Sequence, residues 1–94
     1  MKLVDITNTN PQLVQNQLNN TDATLVKVYT YGPTTIILSK AAHHIEILYR
    51  NKRRNIKQNE IEDTLPQLLK PYNLDLQQAD PIKLDGYVEI SIPC

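Results

Sequence analysis

The chain has 94 residues, about one small domain, which excludes an enzyme built from separate substrate and cofactor domains. Hydrophobic residues make up 40% of the chain and charged residues 21%, a composition typical of folded proteins. Ten basic and ten acidic side chains leave no net charge, so we expect no global attraction to nucleic acid or to an anionic membrane.

The apolar residues predict an aliphatic core, because the chain contains neither Trp nor Phe. Its one cysteine, Cys94, cannot form an intrachain disulfide, which favours a reducing compartment. The first residues lack the apolar run of a signal peptide, and the longest apolar run is only Ile36-Ile37-Leu38. We therefore expect a cytoplasmic protein that does not bind membranes.

The first elements along the chain are predicted to be a short strand and a helix. Residues 2–6 alternate weakly in polarity, as a strand does. Asn10 suits a helix N-cap and Pro11 the first helical position, so we predict a helix over about 11–20. Its apolar stripe is narrow, which is typical of a surface helix. The stripe consists of Leu13, Val14 and Leu18.

The middle of the chain predicts a three-strand antiparallel meander. Residues 24–31 are rich in β-branched and aromatic side chains, and Gly32-Pro33 marks a turn before a return strand over 34–39. Residues 43–50 alternate with a period of two, which predicts a third strand. One face of that strand carries Ile45, Ile47 and Tyr49, and the other carries His44, Glu46, Leu48 and Arg50.

A second helix is predicted after residues 53–57, which form either a short edge strand or a loop. Asn59 as N-cap, with Glu62 three residues later, resembles a capping box and predicts a helix that begins at Glu60. Pro66 is expected to kink this helix, and Pro71 to end it. Its apolar stripe has the spacing of a helix lying on a sheet. The stripe consists of Ile61, Leu65, Leu68 and Leu69.

The chain ends in a predicted hairpin, with strands over 80–84 and 87–92 joined by Asp85-Gly86 in a type I′ turn. The element order β-α-β-β-β-(β)-α-β-β predicts a single α+β domain over residues 1–94. We expect one mixed, mostly antiparallel sheet of five to six strands with both helices packed on one face. Strand 1, helix 1 and strand 2 are the one candidate for a parallel crossover unit.

Charge is divided unevenly along the chain: residues 1–57 carry a net charge of +5 and residues 58–94 carry −5. The basic charges concentrate in residues 50–57, hereafter the basic segment. Guanidinium groups bind carboxylates and phosphates through paired donors, and a tyrosine can stack on a base. The alternative is a solvated turn that faces the acidic half of the same protein. The candidate interaction surface is Tyr49, Arg50, Lys52, Arg53, Arg54 and Lys57.

Metal or nucleophilic chemistry has weaker support. His44 and Glu46 point the same way on the predicted strand, next to His43, but two ligands do not complete a zinc site. The His-x-Glu pattern also lacks the Cys-x-x-Cys of zinc deaminases. Cys94 stands at a terminus, where a catalytic geometry is hard to hold. We expect no metal site and no catalytic residue.

Nucleotide-binding patterns are also incomplete. Lys27, Tyr29 and Tyr31 share one strand face and could stack bases, but tyrosines that cover an otherwise open sheet face explain them as well. A glycine-rich phosphate loop is excluded, since Gly32 and Gly86 are the only glycines and both are used in turns. We therefore expect no cofactor.

Four stretches of the sequence are informative together: residues 1–8 (MKLVDITN), Asp22-Ala23 with residues 25–29 (LVKVY), residues 51–54 (NKRR) and residues 88–93 (VEISIP). Together they resemble a family of small uncharacterised proteins from low-GC Gram-positive bacteria. The resemblance covers nearly the whole chain. It implies a cytoplasmic bacterial protein whose family has no assigned activity, cofactor or catalytic residues.

These observations favour a non-enzymatic protein-interaction or regulatory domain whose contact surface is the basic segment. The partner would be another protein or a second copy, which would give a homodimer. The alternative is a weak nucleic-acid-binding protein that uses the same segment, and a remote alternative is an unrecognised enzyme that uses His43 or His44 with Glu46.

Overall fold

The computed structural model describes residues 1–9, 24–51, 53–74, 80–84 and 87–93. Within these residues the chain forms six β-strands and one α-helix. The elements are β1 (Leu3–Asp5), β2 (Leu25–Tyr31), β3 (Thr34–Lys40), β4 (His44–Arg50), α1 (Gln58–Leu69), β5 (Asp80–Leu84) and β6 (Tyr87–Pro93).

The strands form one sheet in the order β1-β2-β3-β4-β6-β5, and every described pair is antiparallel. The α+β class and a sheet of five to six strands are therefore confirmed. The mixed sheet is wrong, because Leu3 lies opposite Tyr31 and Asp5 opposite Tyr29. Strand β2 starts at the end of the sheet where β1 finishes, so these two strands are antiparallel and not the predicted parallel unit. The first predicted helix, over about 11–20, lies outside the described residues.

The main core lies between α1 and one face of the sheet. The alternation predicted for β4 is confirmed, since Ile45, Ile47 and Tyr49 are all buried on the helix side, and alternate residues of β6 are buried there too. Burial of this aliphatic surface is the largest favourable contribution to folding. The buried residues are Ile36, Leu38, Ile45, Ile47, Tyr49, Ile61, Leu65, Leu68, Leu69, Val88, Ile90 and Ile92.

The opposite face of the sheet carries a second, smaller apolar cluster. Val26, Val28 and Ile37 are buried there, and Ile6 and Leu48 pack against them. The sheet is therefore apolar on part of both faces, as expected when neighbouring strands place alternate residues on opposite sides.

The turn between β2 and β3 contains the two residues Gly32 and Pro33, as predicted, since Tyr31 pairs with Thr34. Gly32 has a φ of 58°. A positive φ at the first central residue is what a tight type II′ hairpin needs, and glycine adopts it without steric cost.

Helix α1 begins at Gln58, two residues before the predicted start at Glu60. The N-cap is Lys57, whose side chain makes no capping bond, and Asn59 lies inside the first turn. The capping-box prediction is therefore wrong. The helix passes through Pro66 and ends at Leu69. Its four predicted stripe residues are all buried, so the helix and its orientation are confirmed.

Of the two alternatives for residues 53–57, the structure has the loop and not the edge strand. Arg50 ends β4 opposite Thr35, on the face away from α1, whereas the helix starts at Gln58 on the other face. The connection therefore passes around the end of the sheet, which a strand paired in the sheet could not do. The predicted terminal hairpin is confirmed by the pairing of β5 with β6, and its turn residues 85–86 lie outside the described part.

Candidate functional site

The basic segment lies at the end of the sheet where the β2–β3 turn and the end of β4 meet. Arg50 is exposed, with Thr35 on one neighbouring strand and Tyr87 on the other as its register partners. Arg53 and Lys57 are also exposed. Lys52 lies outside the described residues. Three predicted contact residues are thus available on the surface.

Arg54 differs from the other arginines because it is bound within the domain. Its Nη2 forms an ion pair with Oε1 of Glu60, whose side chain is only 3% exposed. Thr34 Oγ1 donates to the other oxygen, Oε2, at 3.1 Å. The Arg54 side chain is 31% exposed and is paired within the domain, so this arginine, unlike Arg50 and Arg53, is not free to serve the predicted contact surface. Glu60 needs a counter-charge because an unpaired buried carboxylate is costly.

Tyr49 is not part of the predicted interaction surface, because it is 0% exposed. Its hydroxyl hydrogen-bonds Thr64 Oγ1 at 2.8 Å, and Thr64 Oγ1 donates to the carbonyl oxygen of Glu60 at 2.7 Å. Burial raises the pKa of Tyr49 to about 12, with the bond to Thr64 acting in the opposite direction. The ring is therefore unavailable to stack on a base in this fold.

Asn51 is a structural part of the site, although it was not among the predicted contact residues. Its Oδ1 accepts a hydrogen bond from the backbone N–H of Arg53 at 2.9 Å, which closes a local turn. The side chain is almost completely buried, and Nδ2 has no hydrogen-bond partner among the described residues. The sequence does contain a signal, since asparagine directly after a strand is typical of such turns.

The histidine and carboxylate pair expected on β4 is present, with His44 Nε2 at 3.2 Å from Glu46 Oε1. A groove of about 350 Å³ runs along the sheet face beside it. Glu46 lines this groove, whereas neither His43 nor His44 is among its described lining residues. In the described part of the chain no three metal-ligating side chains come together, and Cys94 lies outside that part.

Tyr29 and Tyr31 do not cover an open sheet face, contrary to expectation. Both pack at the border of the core on the helix-covered face. The Tyr31 hydroxyl donates to Asp63 Oδ2 at 3.2 Å, and burial together with that carboxylate raises the pKa of Tyr31. Burial and the nearby Asp5 carboxylate raise the pKa of Tyr29. A stacking platform for bases would need both rings free, and they are not.

The fold and the site together define a small α+β domain with the basic segment at one end of its sheet. None of the described helices has the length and apolarity needed to cross a membrane. The chain belongs to the family described as a domain of unknown function, DUF1827, which matches residues 1–93. The predicted resemblance is thereby confirmed.

A solved structure supports the same assignment. The crystal structure of a conserved protein of unknown function from Streptococcus thermophilus LMG 18311, a low-GC Gram-positive bacterium, is similar to this chain. The two chains are 37% identical with a TM-score of 0.84, over 99% of this chain and 96% of the other. No curated protein matches the chain.

Proposed function

We propose that this protein is a non-enzymatic interaction domain that binds an acidic surface of another protein, in the cytoplasm. The contact surface is the basic segment, with Arg50 and Arg53 at its centre. Binding of this kind needs no cofactor and no catalytic group, only a fixed arrangement of charges that complements the partner.

The observation that carries this proposal is that Arg50 and Arg53 have no carboxylate partner among the described residues. The ion pairs in that part of the chain are Lys27–Asp5, His44–Glu46 and Arg54–Glu60. The domain thus neutralises one arginine of the segment and leaves the two others facing solvent. Arginine is enriched at protein interfaces because its planar donors match carboxylates.

Nucleic acid is a poorer partner for this surface. With Tyr49 buried and Arg54 paired to Glu60, the segment keeps three described cations, Arg50, Arg53 and Lys57, and no exposed ring of its own. Three phosphate contacts without stacking would give weak, salt-sensitive binding. An acidic protein surface requires fewer contacts, because desolvated arginine pairs at the centre of an interface contribute strongly.

The test compares the wild-type chain with Arg50→Gln/Arg53→Gln and with a control, Lys2→Gln/Lys70→Gln. The control removes two exposed positive charges outside the basic segment. Sedimentation velocity at low and high salt shows whether a second copy is the partner. Cross-linking in cells, followed by mass spectrometry, identifies a different partner.

We expect association that is lost in the double-arginine variant, kept in the control and weakened by salt. A protein that stays monomeric at every concentration, with no cross-linked partner whose recovery depends on Arg50 and Arg53, would refute the proposal. Equal loss in both variants would also refute it, because general charge rather than this surface would then explain the binding.

A further inference from the structure

A depression lies beside the two free arginines, at the end of the sheet. Its volume is about 410 Å³, larger than the groove on the sheet face. It is bounded by the β2–β3 turn, by one residue of β3 and by the start of the basic segment. The described lining residues are Pro33, Thr35, Arg50, Asn51 and Arg53.

The wall of this depression is rich in hydrogen-bond donors and contains no described carboxylate. Arg50 and Arg53 contribute guanidinium groups that no described acid neutralises, and Thr35 contributes a hydroxyl. Asn51 also lines the depression, but its amide nitrogen Nδ2 is enclosed by protein and has no hydrogen-bond partner in the described part of the chain. The donors offered to a ligand are therefore those of Arg50, Arg53 and Thr35.

The chemistry of the wall selects an oxyanion with two negative charges. One carboxylate can accept the paired N–H donors of one guanidinium, which leaves the second guanidinium without a partner. A phosphate monoester near neutral pH carries between one and two negative charges and three acceptor oxygens, enough for the paired donors of both guanidinium groups. The depression is also much larger than a carboxylate needs, so it accommodates a phosphate together with the group that carries it.

The local structure holds the backbone of both arginines in place before any ligand binds. Asn51 Oδ1 fixes the backbone of Arg53, and the next residue, Arg54, is tied to the buried Glu60 of α1. Arg50 is held at the end of β4 by pairing with Thr35 on one side and Tyr87 on the other. Preorganisation of this kind lowers the entropy lost on binding.

We infer that this depression, formed by Arg50, Arg53, Thr35 and Asn51, is a binding site for a phosphate monoester. The phosphate belongs either to a small metabolite or to a phosphorylated side chain, and both present the same group. This site requires no protein partner and is therefore tested separately from the proposed contact.

The experiment is a titration of the full chain followed by amide chemical shifts in NMR, at constant ionic strength. The probes are inorganic phosphate, glycerol phosphate, a phosphoserine peptide and, for comparison, acetate. We expect shifts at Thr34 and Thr35 and at residues 50–54, with a Kd for inorganic phosphate on the order of 1 mM. Whichever of the two phosphate esters binds more tightly identifies the source of the phosphate.

The variants locate the site. Arg50→Gln/Arg53→Gln should weaken phosphate binding by about tenfold or more, whereas Lys2→Gln/Lys70→Gln should stay within about twofold of wild type. Arg50→Lys/Arg53→Lys keeps the charge but loses the paired donors of each guanidinium. We expect its phosphate affinity to lie between those of the wild type and the glutamine variant. Amide shifts of α1 in each variant report whether the fold is kept.

Three results would overturn the inference: no binding at about 20 mM phosphate, equal affinity for acetate, or equal weakening in the lysine control. Phosphate binding without any arginine-dependent protein partner would contradict the proposed function alone. An arginine-dependent partner without phosphate binding would contradict the phosphate site alone.

Discussion

Replacement of Arg54 by Ser should destabilise the domain, whereas the same replacement at Arg53 should not. Glu60 is 3% exposed and uses Arg54 on one carboxylate oxygen and Thr34 on the other. Without Arg54, the carboxylate stays buried with a single neutral hydrogen bond. Arg53 is exposed, and its only described bond comes from its backbone N–H, which Ser retains.

The magnitude follows from the burial of the pair. Breaking a fully buried ion pair by removal of one partner costs about 3–5 kcal/mol. Arg54 is 31% exposed, so water can approach the vacated position, and we expect a smaller loss of about 1.5–3 kcal/mol for Arg54→Ser. Arg53→Ser should change the free energy of unfolding by less than about 0.5 kcal/mol.

Urea unfolding of both variants, monitored by circular dichroism, measures the difference. A double-mutant cycle with Glu60→Gln isolates the interaction, since Arg54→Ser should cost much less once the carboxylate is gone. An Arg54→Ser variant as stable as Arg53→Ser would refute the assignment of Arg54 to the interior. A cost that is unchanged in the Glu60→Gln background would show that the ion pair is not its cause.

The remaining predictions concern the core and the turn. With the pKa of Tyr49 raised to about 12, the unfolded chain loses that proton first, so stability should fall between about pH 10 and 12. In Tyr49→Phe, the free energy of unfolding should fall by about 2–3 kcal/mol less over this pH range than in the wild type. An unchanged dependence of the unfolding free energy on pH would contradict the burial of the Tyr49 hydroxyl. Leu68→Ala should cost about 2–5 kcal/mol in urea unfolding, against less than about 0.5 kcal/mol for the exposed control Glu62→Ala, and similar values would place Leu68 outside the core. Gly32→Ala should lower the melting temperature, because φ is positive and a Cβ would contact the Met1 side chain; a higher melting temperature would contradict this backbone.

Much of the sheet and the helix could be predicted because burial imposes a period on the sequence. The alternation in β4 placed Ile45 and Ile47 on the inner face, and the same alternation placed Tyr49 there too. The predicted surface nevertheless includes Tyr49, because Tyr49 is adjacent to the arginines in the sequence. The periodic signal was the better guide, since a strand fixes side-chain direction and sequence adjacency does not.

Which arginines are exposed and which one is bound within the domain could not be predicted in the same way. Whether Arg54 meets Glu60 depends on how the loop passes around the end of the sheet, and no periodic pattern describes that path. The orientation of β1 against β2 was missed for a related reason. A helix pattern after a strand suggests a parallel crossover, but it does not determine the end of the sheet at which the next strand starts.

The basic segment therefore contains two kinds of residue that composition alone cannot separate. Asn51 and Arg54 bond within the domain and hold the turn, so their substitution should affect binding through the shape of the loop. Arg50 and Arg53 make no described ion pair through their side chains, so their substitution should affect binding directly and leave the fold intact. Since the anchors alternate with the free arginines along the chain, each free guanidinium stands next to a fixed residue. The backbone that carries the two free arginines is therefore held by contacts of their neighbours, which lowers the entropy lost when so few charges bind an anion.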